Sequence, residues 1–162
     1  MCGILGILSA SGVDVGVDDA TVVAMRDRLA HRGPDGEGVL RRGNIVLAHR
    51  RLAILDPGPS GAQPMSSADG RYALVYNGEL YNDAELRKEL EREGVVFRTR
   101  CDTETVLHAL AVWGVAAVEK FRGMYALAFA DFERQRVTLS RDPLGIKPLY
   151  AARVPMAKGV SS

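Results

Sequence analysis

The apolar segments of this sequence are short and come in adjacent groups, and this pattern constrains the fold more than any other feature. Strand-like runs lie at 4–8, 38–41, 44–49, 72–76, 95–98, 124–130 and 136–140. Strict alternation of strands and helices would indicate a parallel sheet, whereas grouped strands favour antiparallel pairing. The polar turn between the last two runs predicts a β-hairpin. We therefore predict an α+β fold with mainly antiparallel sheets, about seven strands and about three or four helices.

Three segments carry the end signals of α-helices. Asp18 is the predicted N-cap of the first. Asn82 and Glu85 form a predicted capping box for the second, and Gly94 is expected to end it. Asp102 is the predicted N-cap of the third.

The charge balance and the apolar content exclude several classes of protein. The 162 residues carry 21 Lys and Arg against 20 Asp and Glu, a formal net charge of +1, which speaks against a nucleic-acid partner. No apolar run approaches the ~20 residues that span a bilayer, so no membrane partner is expected. Two cysteines are too few for a disulfide framework, and the first residues lack a signal-peptide pattern. These features predict a single-domain cytoplasmic protein.

Cys2 is the residue with the most distinctive chemistry. A free cysteine is most often a small apolar core residue. At the second position, however, it becomes the N-terminal residue once the initiator Met1 is removed, and a residue as small as Cys permits that removal. The α-amino pKa of ~7.7–8.0 then lies close to the thiol pKa of ~8.5, so the amine can accept the thiol proton. One residue would supply both nucleophile and base.

Histidines offer a competing chemistry. The chain has three of them, His31, His49 and His108. Any of them could pair with Cys2, or complete a metal site together with Cys101 and Asp102. No pair of residues, however, has the C-x-x-C or H-x-x-x-H spacing that metal sites use. We expect no metal, and structural roles for the histidines.

Three further polar groups each admit a structural and a functional interpretation. Asn77-Gly78 is typical of a hairpin turn, but a tight turn also directs an amide and a backbone N–H toward one point, as in an oxyanion hole. Arg50 and Arg51 are either solvated, or one of them binds a carboxylate bidentately. Asp102 is either a helix cap or the counter-charge of an ammonium group. Together these residues indicate an N-terminal thiol nucleophile that acts on a small zwitterionic acyl donor.

Eight motifs in order resemble a known family. They are CGI at 2–4, HRGPDG at 31–36, AHRRLAILD at 48–56, QPM at 63–65, YNGELYN at 76–82, CDTE at 101–104, FRGM at 121–124 and RDPLGIKPLY at 141–150. The chain thereby resembles the glutamine-hydrolysing domain of class II glutamine amidotransferases. The resemblance covers residues 1 to about 153 and is strongest to the N-terminal domain of asparagine synthetases.

The resemblance implies an N-terminal-nucleophile hydrolase fold, with two antiparallel sheets sandwiched between helical layers. It implies that Cys2 attacks the side-chain amide of glutamine, releases ammonia and leaves a γ-glutamyl thioester that water resolves. Asn77 and Gly78 would stabilise the oxyanion. The resemblance also implies substrate-binding residues: Arg51 for the α-carboxylate, backbone from Leu52, Ala53, Ile54 and Leu55 along the site, and Gly78, Glu79 and Asp102 for the α-amino group.

The chain departs from the family in two respects. The Ser-Gly-Gly-x-Asp-Ser pyrophosphate loop of the synthetase domain is absent, so we expect no cofactor in this chain, and ATP and Mg only on a separate synthetase domain. Residues 154–162 do not continue the family pattern, so we predict a glutaminase domain at 1–153 followed by a divergent or disordered tail. If a strand of the family fold is lost, one sheet edge is left unpaired and can pair with a second copy of the chain. A homodimer is therefore an open alternative.

The function implied by the resemblance is hydrolysis of glutamine. Its ammonia would go to a synthetase domain or subunit for the ATP-dependent amidation of aspartate. Two alternatives stay open, namely amidation of a different acceptor, and a catalytically silent module that binds glutamine or a partner protein. The presence of every expected site residue favours an active enzyme.

Overall fold

The fold is built from seven strands and three α-helices within residues 1–10, 15–53 and 58–154, which the computed structural model describes. In chain order the elements are β1 (Gly3–Leu8), α1 (Asp19–Asp27), β2 (Gly36–Arg42), β3 (Ile45–Arg51), β4 (Met65–Ser66), β5 (Tyr72–Leu80), α2 (Asp83–Arg92), α3 (Asp102–Trp113), β6 (Gly123–Asp131) and β7 (Arg136–Arg141). Short 3-10 turns lie at Ala30–Arg32, Pro59–Gly61 and Gly114–Lys120. None of the helices in the described part is long and apolar enough to cross a membrane.

All strand pairs in these ranges are antiparallel, as predicted. Sheet A has the strand order β1-β3-β2, and sheet B has the order β4-β5-β6-β7. The central strand of sheet A is β3, in which His49 lies opposite Ile4 of β1 and Gly38 of β2. The predicted hairpin is confirmed, since β6 pairs with β7 from Asp131 and Arg136 onward.

The two sheets pack face to face between two helical layers. Side chains alternate along a strand, so each face of a sheet has its own neighbours. In β3, Ile45 and Leu47 pack against Val75 of sheet B, whereas Val46 packs with Val22 of α1. The other face of sheet B packs against α2 and α3. The layer order is therefore helix, sheet A, sheet B, helices, which confirms the predicted α+β sandwich.

The predicted strand at 95–98 is wrong, because this segment is irregular. Its backbone binds side chains of neighbouring helices instead of another strand. The N–H groups of Arg98 and Thr99 donate to the carboxylate of Glu104 over 2.9 and 2.7 Å. Arg87 of α2 donates to the carbonyl of Thr99 over 3.0 Å. The apolar pattern alone did not show that these polar partners would be present.

Two of the helix-end signals are confirmed. Asp18 caps α1, and its carboxylate accepts a hydrogen bond from the Thr21 N–H over 2.6 Å. Gly94 follows α2 with a φ of +90°, in the left-handed region where glycine carries no steric cost.

Asn82 occupies the N-cap position of α2, as predicted, but the predicted capping by its side chain and the predicted Asp102 cap are wrong. The Asn82 side chain does not cap α2; it donates to the carbonyl of Lys120 and accepts from the N–H of Arg122, both at 3.0 Å. Asp102 is the first residue of α3, and Cys101 occupies the N-cap position. In both cases the side chain that local spacing predicted as a cap instead forms hydrogen bonds to residues distant in the sequence.

The end of the chain lies largely outside the described residues. Val154 is exposed, and residues 155–162 are not among those that the structure describes. The predicted boundary and tail therefore stay predictions.

Candidate active site

A cavity of about 110 Å³ opens where the start of β1, the end of β3 and β5 meet the first turn of α3. Its lining includes the three predicted catalytic residues, Cys2, Asn77 and Gly78. Asn77 and Gly78 are also predicted substrate-binding residues, and the lining includes four more of that set, Arg51, Leu52, Glu79 and Asp102. The fold thus brings together groups that are spread from position 2 to position 102 of the chain.

Cys2 lies at the head of β1, where its thiol is partly exposed. The Leu52 N–H donates to the sulfur over 3.4 Å, and the thiol lies 3.7 Å from the Leu52 carbonyl. The Arg32 guanidinium donates to the Cys2 carbonyl over 3.2 Å. Gly3 lets this end of the strand approach Leu29, because a Cβ at position 3 would come within 2.6 Å of the Leu29 Cβ. These contacts fix the sulfur against the backbone that follows β3.

The two adjacent arginines of β3 point in different directions. Arg51 is 9% exposed, lines the cavity and donates to the Gly58 carbonyl over 2.7 Å. Arg50 pairs with Glu37 and lies 3.5 Å from Asp27 on the other side of the sheet. Strand alternation therefore places Arg51, and not Arg50, in the cavity.

Asn77 and Gly78 lie inside β5, so their interpretation as a hairpin turn is wrong. They pair with Ala126 and Tyr125 of β6. Asn77 is 4% exposed and lines the cavity. Gly78 has no room for a side chain, because a Cβ would meet the Met124 carbonyl oxygen at 2.5 Å. The sequence pair is used for close approach within a sheet and not for a turn.

Asp102 is the buried anion of the cavity, with 5% of its surface exposed. Its Oδ2 accepts hydrogen bonds from the Leu80 N–H over 3.0 Å and from the Tyr76 hydroxyl over 3.3 Å. Burial raises the pKa of Asp102 above its usual range, although these hydrogen bonds favour the charged form. A bound cation would stabilise that charge. Glu79 is exposed and lies at the rim beside it.

Three predicted lining residues follow Leu52. The Ala53 N–H donates to the carboxylate of Asp35 over 2.9 Å, so its backbone is turned toward that side chain. Ile54 and Leu55 lie outside the described residues. For these three positions, and for the roles of the residues in the cavity, the assignments stay predictions.

The cavity also contains residues to which no role was assigned from the sequence. Gln63 accepts from the Tyr76 N–H over 2.6 Å and donates to the Thr103 hydroxyl over 3.2 Å. It thereby connects β5 to the first turn of α3. Lys147 is 7% exposed and also lines the cavity. Both belong to motifs noted above, QPM and RDPLGIKPLY, and that membership was the available signal.

Histidines do not take part in this cavity. His31, His49 and His108 are all described, and the lining includes none of them. His49 is buried, and burial lowers its pKa to about 4. His108 lies 3.6 Å from Glu104 on α3, and burial lowers its pKa too. Among the described residues no group of three His, Cys, Asp or Glu side chains could hold a metal ion. The geometry therefore does not support a Cys-His pair.

Comparison with known protein families gives one match across the chain. Residues 1–160 match the family described as glutamine amidotransferase domain. This match includes all the cavity residues discussed above.

Individual relatives give the same picture. The chain is 37% identical over 151 residues to asparagine synthetase [glutamine-hydrolyzing] 1 of Bacillus subtilis (strain 168), which covers 93% of this chain and 24% of that protein. It is 38% identical over 150 residues to asparagine synthetase [glutamine-hydrolyzing] 1 of Arabidopsis thaliana, covering 93% of this chain and 25% of the relative. The chain thus spans about a quarter of the length of these curated relatives.

A solved structure supports the fold. The glutamine phosphoribosylpyrophosphate (PRPP) amidotransferase from B. subtilis, complexed with ADP and GMP, superposes with a TM-score of 0.71 at 22% identity. The superposition covers 90% of this chain and 38% of that one. The two antiparallel sheets between helices are therefore the N-terminal-nucleophile hydrolase sandwich expected from the sequence.

Proposed function

This chain belongs to the family of glutamine amidotransferase domains, and from that premise we propose that it hydrolyses the side-chain amide of glutamine to glutamate and ammonia. One observation carries the proposal. A thiol, a buried cation and a buried anion line the same small cavity, at Cys2, Arg51 and Asp102. Glutamine is a zwitterion with an electrophilic amide at the other end, and these three groups match its three functional parts.

The zwitterionic end of glutamine is held by opposite charges. Arg51 binds the α-carboxylate through its guanidinium, which presents two parallel N–H groups to a carboxylate. Asp102 and Glu79 bind the α-ammonium group from the other side. Leu52, which lines the cavity, contributes to the wall of the site. When the α-carboxylate and the α-ammonium group are bound in this way, the amide carbon of the substrate lies next to the thiol of Cys2.

The chemical step uses Cys2 as nucleophile. Once Met1 has been removed, the free α-amine accepts the thiol proton, and the thiolate attacks the amide carbon to form a C–S bond. Negative charge develops on the amide oxygen, where the Asn77 side-chain amide and a backbone N–H at Gly78 stabilise it. The proton moves from the α-amine to the leaving nitrogen, the C–N bond breaks and ammonia departs. Water then adds to the γ-glutamyl thioester, which releases glutamate and restores the thiol.

The ammonia supplies an amidation elsewhere. Similarity to the glutamine-hydrolysing asparagine synthetases supports a synthetase domain or subunit as the partner, with the ATP-dependent amidation of aspartate as the reaction it performs. ATP and Mg would bind that partner and not this chain. Both Cys2 and Cys101 are free thiols, and a reducing compartment keeps thiols in that form, so we place the reaction in the cytoplasm.

The proposal is tested by glutamate release from glutamine by the purified chain. Cys2→Ala is expected to release no detectable glutamate. Cys101→Ala is the matched control, because it removes the other thiol that lines the cavity and is expected to retain most of the activity. The intact mass of each protein shows whether Met1 is present, and a methionine aminopeptidase is added where it is.

The outcomes separate the alternatives. Release by the parent and not by Cys2→Ala supports a Cys2-dependent glutaminase. Equal release by both proteins overturns the role of Cys2. No release by a parent whose Met1 has gone overturns hydrolysis by this chain alone and favours either a partner-dependent glutaminase or the silent binding module.

A further inference from the structure

Tyr76 is a buried tyrosine whose hydroxyl reaches the anionic wall of the cavity. It is 2% exposed, and its ring belongs to the cluster between sheet B and the helices. The hydroxyl donates to Oδ2 of Asp102 over 3.3 Å. Burial raises the pKa of Tyr76 far above its usual range, so the phenol stays protonated and remains a donor. The mechanism above assigns no task to this group.

Gly78 provides the space that the Tyr76 ring occupies. The two residues are two positions apart in β5 and therefore share a face of the sheet. A Cβ at position 78 would lie 2.7 Å from the Cζ atom of Tyr76. The Tyr76 ring thus lies across the α-carbon of Gly78, and its hydroxyl continues toward Asp102. Any larger residue at 78 would displace the phenol as well as the backbone of β6.

The two oxygens of Asp102 have different surroundings. Oδ2 accepts two hydrogen bonds, one from the Leu80 N–H at 3.0 Å and a longer one from the Tyr76 hydroxyl at 3.3 Å. Among the described residues, Oδ1 has only the thiol of Cys101 as a partner, at 3.7 Å. Two donors on one oxygen fix the plane of the carboxylate and leave the other oxygen available to a ligand.

We propose that Tyr76 is the positioning residue for the amino group of the substrate: by holding Oδ2 of Asp102 across Gly78, it orients Oδ1 toward the α-ammonium of glutamine. This role rests on the proposed function, because it assumes that Asp102 binds that ammonium group. It makes Tyr76, which lines the cavity, a determinant of specificity for acyl donors that carry a free amine, acting through Asp102.

The first test compares Tyr76→Phe with Tyr125→Phe. Tyr125 is also a buried tyrosine of sheet B, pairs with Gly78 in register, and is not part of the cavity lining. Tyr125→Phe therefore controls for the loss of a buried hydroxyl. A hydrogen bond to a charged group typically contributes enough that its loss weakens binding about tenfold. We expect Tyr76→Phe to raise KM for glutamine about tenfold while kcat falls less than about threefold.

The second test uses glutaramic acid, which is glutamine without its α-amino group. If Tyr76 acts through Asp102, Tyr76→Phe leaves kcat/KM for glutaramic acid unchanged and lowers the preference for glutamine about tenfold. Tyr125→Phe leaves that preference as in the parent. An equal loss for both substrates, or an equal loss in the two variants, overturns the proposal and assigns Tyr76 to general packing.

The third measurement does not depend on turnover. Titration of the Asp102 carboxyl carbon by NMR is expected to give a higher pKa in Tyr76→Phe than in the parent, because a donor to the charged form has been removed. The acid limb of the kcat/KM profile for glutamine moves to higher pH with it. If the parent releases no glutamate, the glutaminase function fails, and the carboxyl titration still decides on Tyr76. An identical Asp102 titration in parent and variant overturns the positioning role.

Discussion

Asp142 and Asp102 are both buried, yet their surroundings shift the carboxyl pKa in opposite directions. Asp142 is 2% exposed and Asp102 is 5% exposed. The carboxylate of Asp142 accepts hydrogen bonds from three backbone N–H groups, those of Tyr125, Ile146 and Lys147. Burial acts to raise the pKa of Asp142, but these backbone hydrogen bonds hold it below its usual value. Asp102 accepts one backbone hydrogen bond and one from a phenol, and burial raises its pKa.

The difference separates a structural carboxylate from one that is kept for a ligand. Asp142 follows β7 directly and ties the loop after that strand to β6, so its charge is satisfied by the fold itself. Asp102 lines the cavity with one oxygen nearly unpartnered within the described chain. A buried charge that the fold leaves under-satisfied is costly, and such groups concentrate at functional sites.

Asp142→Asn tests the structural role of Asp142. The amide keeps the volume of the carboxylate but places an NH₂ group among N–H donors, so buried donors lose their acceptor. Asparagine retains one acceptor oxygen, so one or two of the three donors are left unpaired. At about 1–3 kcal/mol for each unpaired buried donor, we expect a loss of about 3 kcal/mol in the free energy of unfolding. Urea unfolding at pH 7 measures it. Asp19→Asn is the control, because the Asp19 side chain is 79% exposed; equal destabilisation by both would contradict the assignment of Asp142.

Asp102→Asn tests the role of Asp102 in substrate binding. Loss of a buried charge partner lowers kcat/KM for glutamine about 100-fold. Stability at pH 7 does not fall, because the pKa of Asp102 is raised in the folded state and the unfolded chain releases its proton first, so the ionised carboxylate opposes folding as pH rises. Glutamate release and urea unfolding on the same sample check both statements. A variant that is unstable but fully active would reverse the comparison.

His49 extends the comparison to a buried imidazole. It is 1% exposed, and neither ring nitrogen makes a hydrogen bond of standard geometry to a described residue, although the backbone of Tyr76 lies close enough to favour the charged imidazole. Burial lowers its pKa from 6.5 to about 4, so below pH 6.5 the unfolded chain takes up the proton first and stability is lost. We expect this group to remove about 2 kcal/mol of stability between pH 7 and pH 5.

His49→Leu, which keeps a similar side-chain volume, tests that expectation. The variant should lose about 2 kcal/mol less than the parent over the same pH range. Urea unfolding at the two pH values provides the measurement. Parallel pH profiles for parent and variant would show that His49 does not titrate as the structure indicates.

Arg50 gives the smallest expected effect. Its partners Asp27 and Glu37 have side chains that are 45% and 52% exposed, so water already stabilises the charges. We expect Arg50→Gln to change the free energy of unfolding by less than about 1 kcal/mol and glutamate release by less than about threefold. Arg51→Gln is the matched variant within the cavity, and it should lose activity about 100-fold. Similar losses in the two variants would show that the cavity does not distinguish its arginines.

The secondary structure was predictable from local patterns wherever no long-range partner competed with the local interaction. Grouped apolar runs predicted the antiparallel sheets, and the turn before Arg136 predicted the hairpin. Asp18 caps its helix, and within the described part of the chain only the first turn of α1 and the nearby Arg41 act on its carboxylate. Asn82 has the same spacing signal, but its side chain does not cap α2, because it binds two backbone groups of a distant loop instead.

The candidate site was predictable where a motif identified a residue type and not where a contact had to be known. Cys2, Arg51 and Asp102 came from motifs and meet in one cavity. Gln63 and Tyr76 were not assigned because their importance lies in the bonds they make to α3. Those bonds span 40 and 26 positions of the chain, beyond the reach of any local pattern.

Residue type and spacing are local properties, so the reactive groups and the grouping of the strands could be read directly from the sequence. They comprise a thiol near the chain start, paired arginines, an Asn-Gly pair and strands in groups. Tertiary structure alone decided how these groups are used. It turned Arg51 inward and Arg50 outward, placed Asn77-Gly78 inside a strand, and satisfied Asp142 while leaving one oxygen of Asp102 available. The physical reason is that burial and hydrogen-bond partners set the energy of a polar group, and both are supplied by segments far away in the sequence.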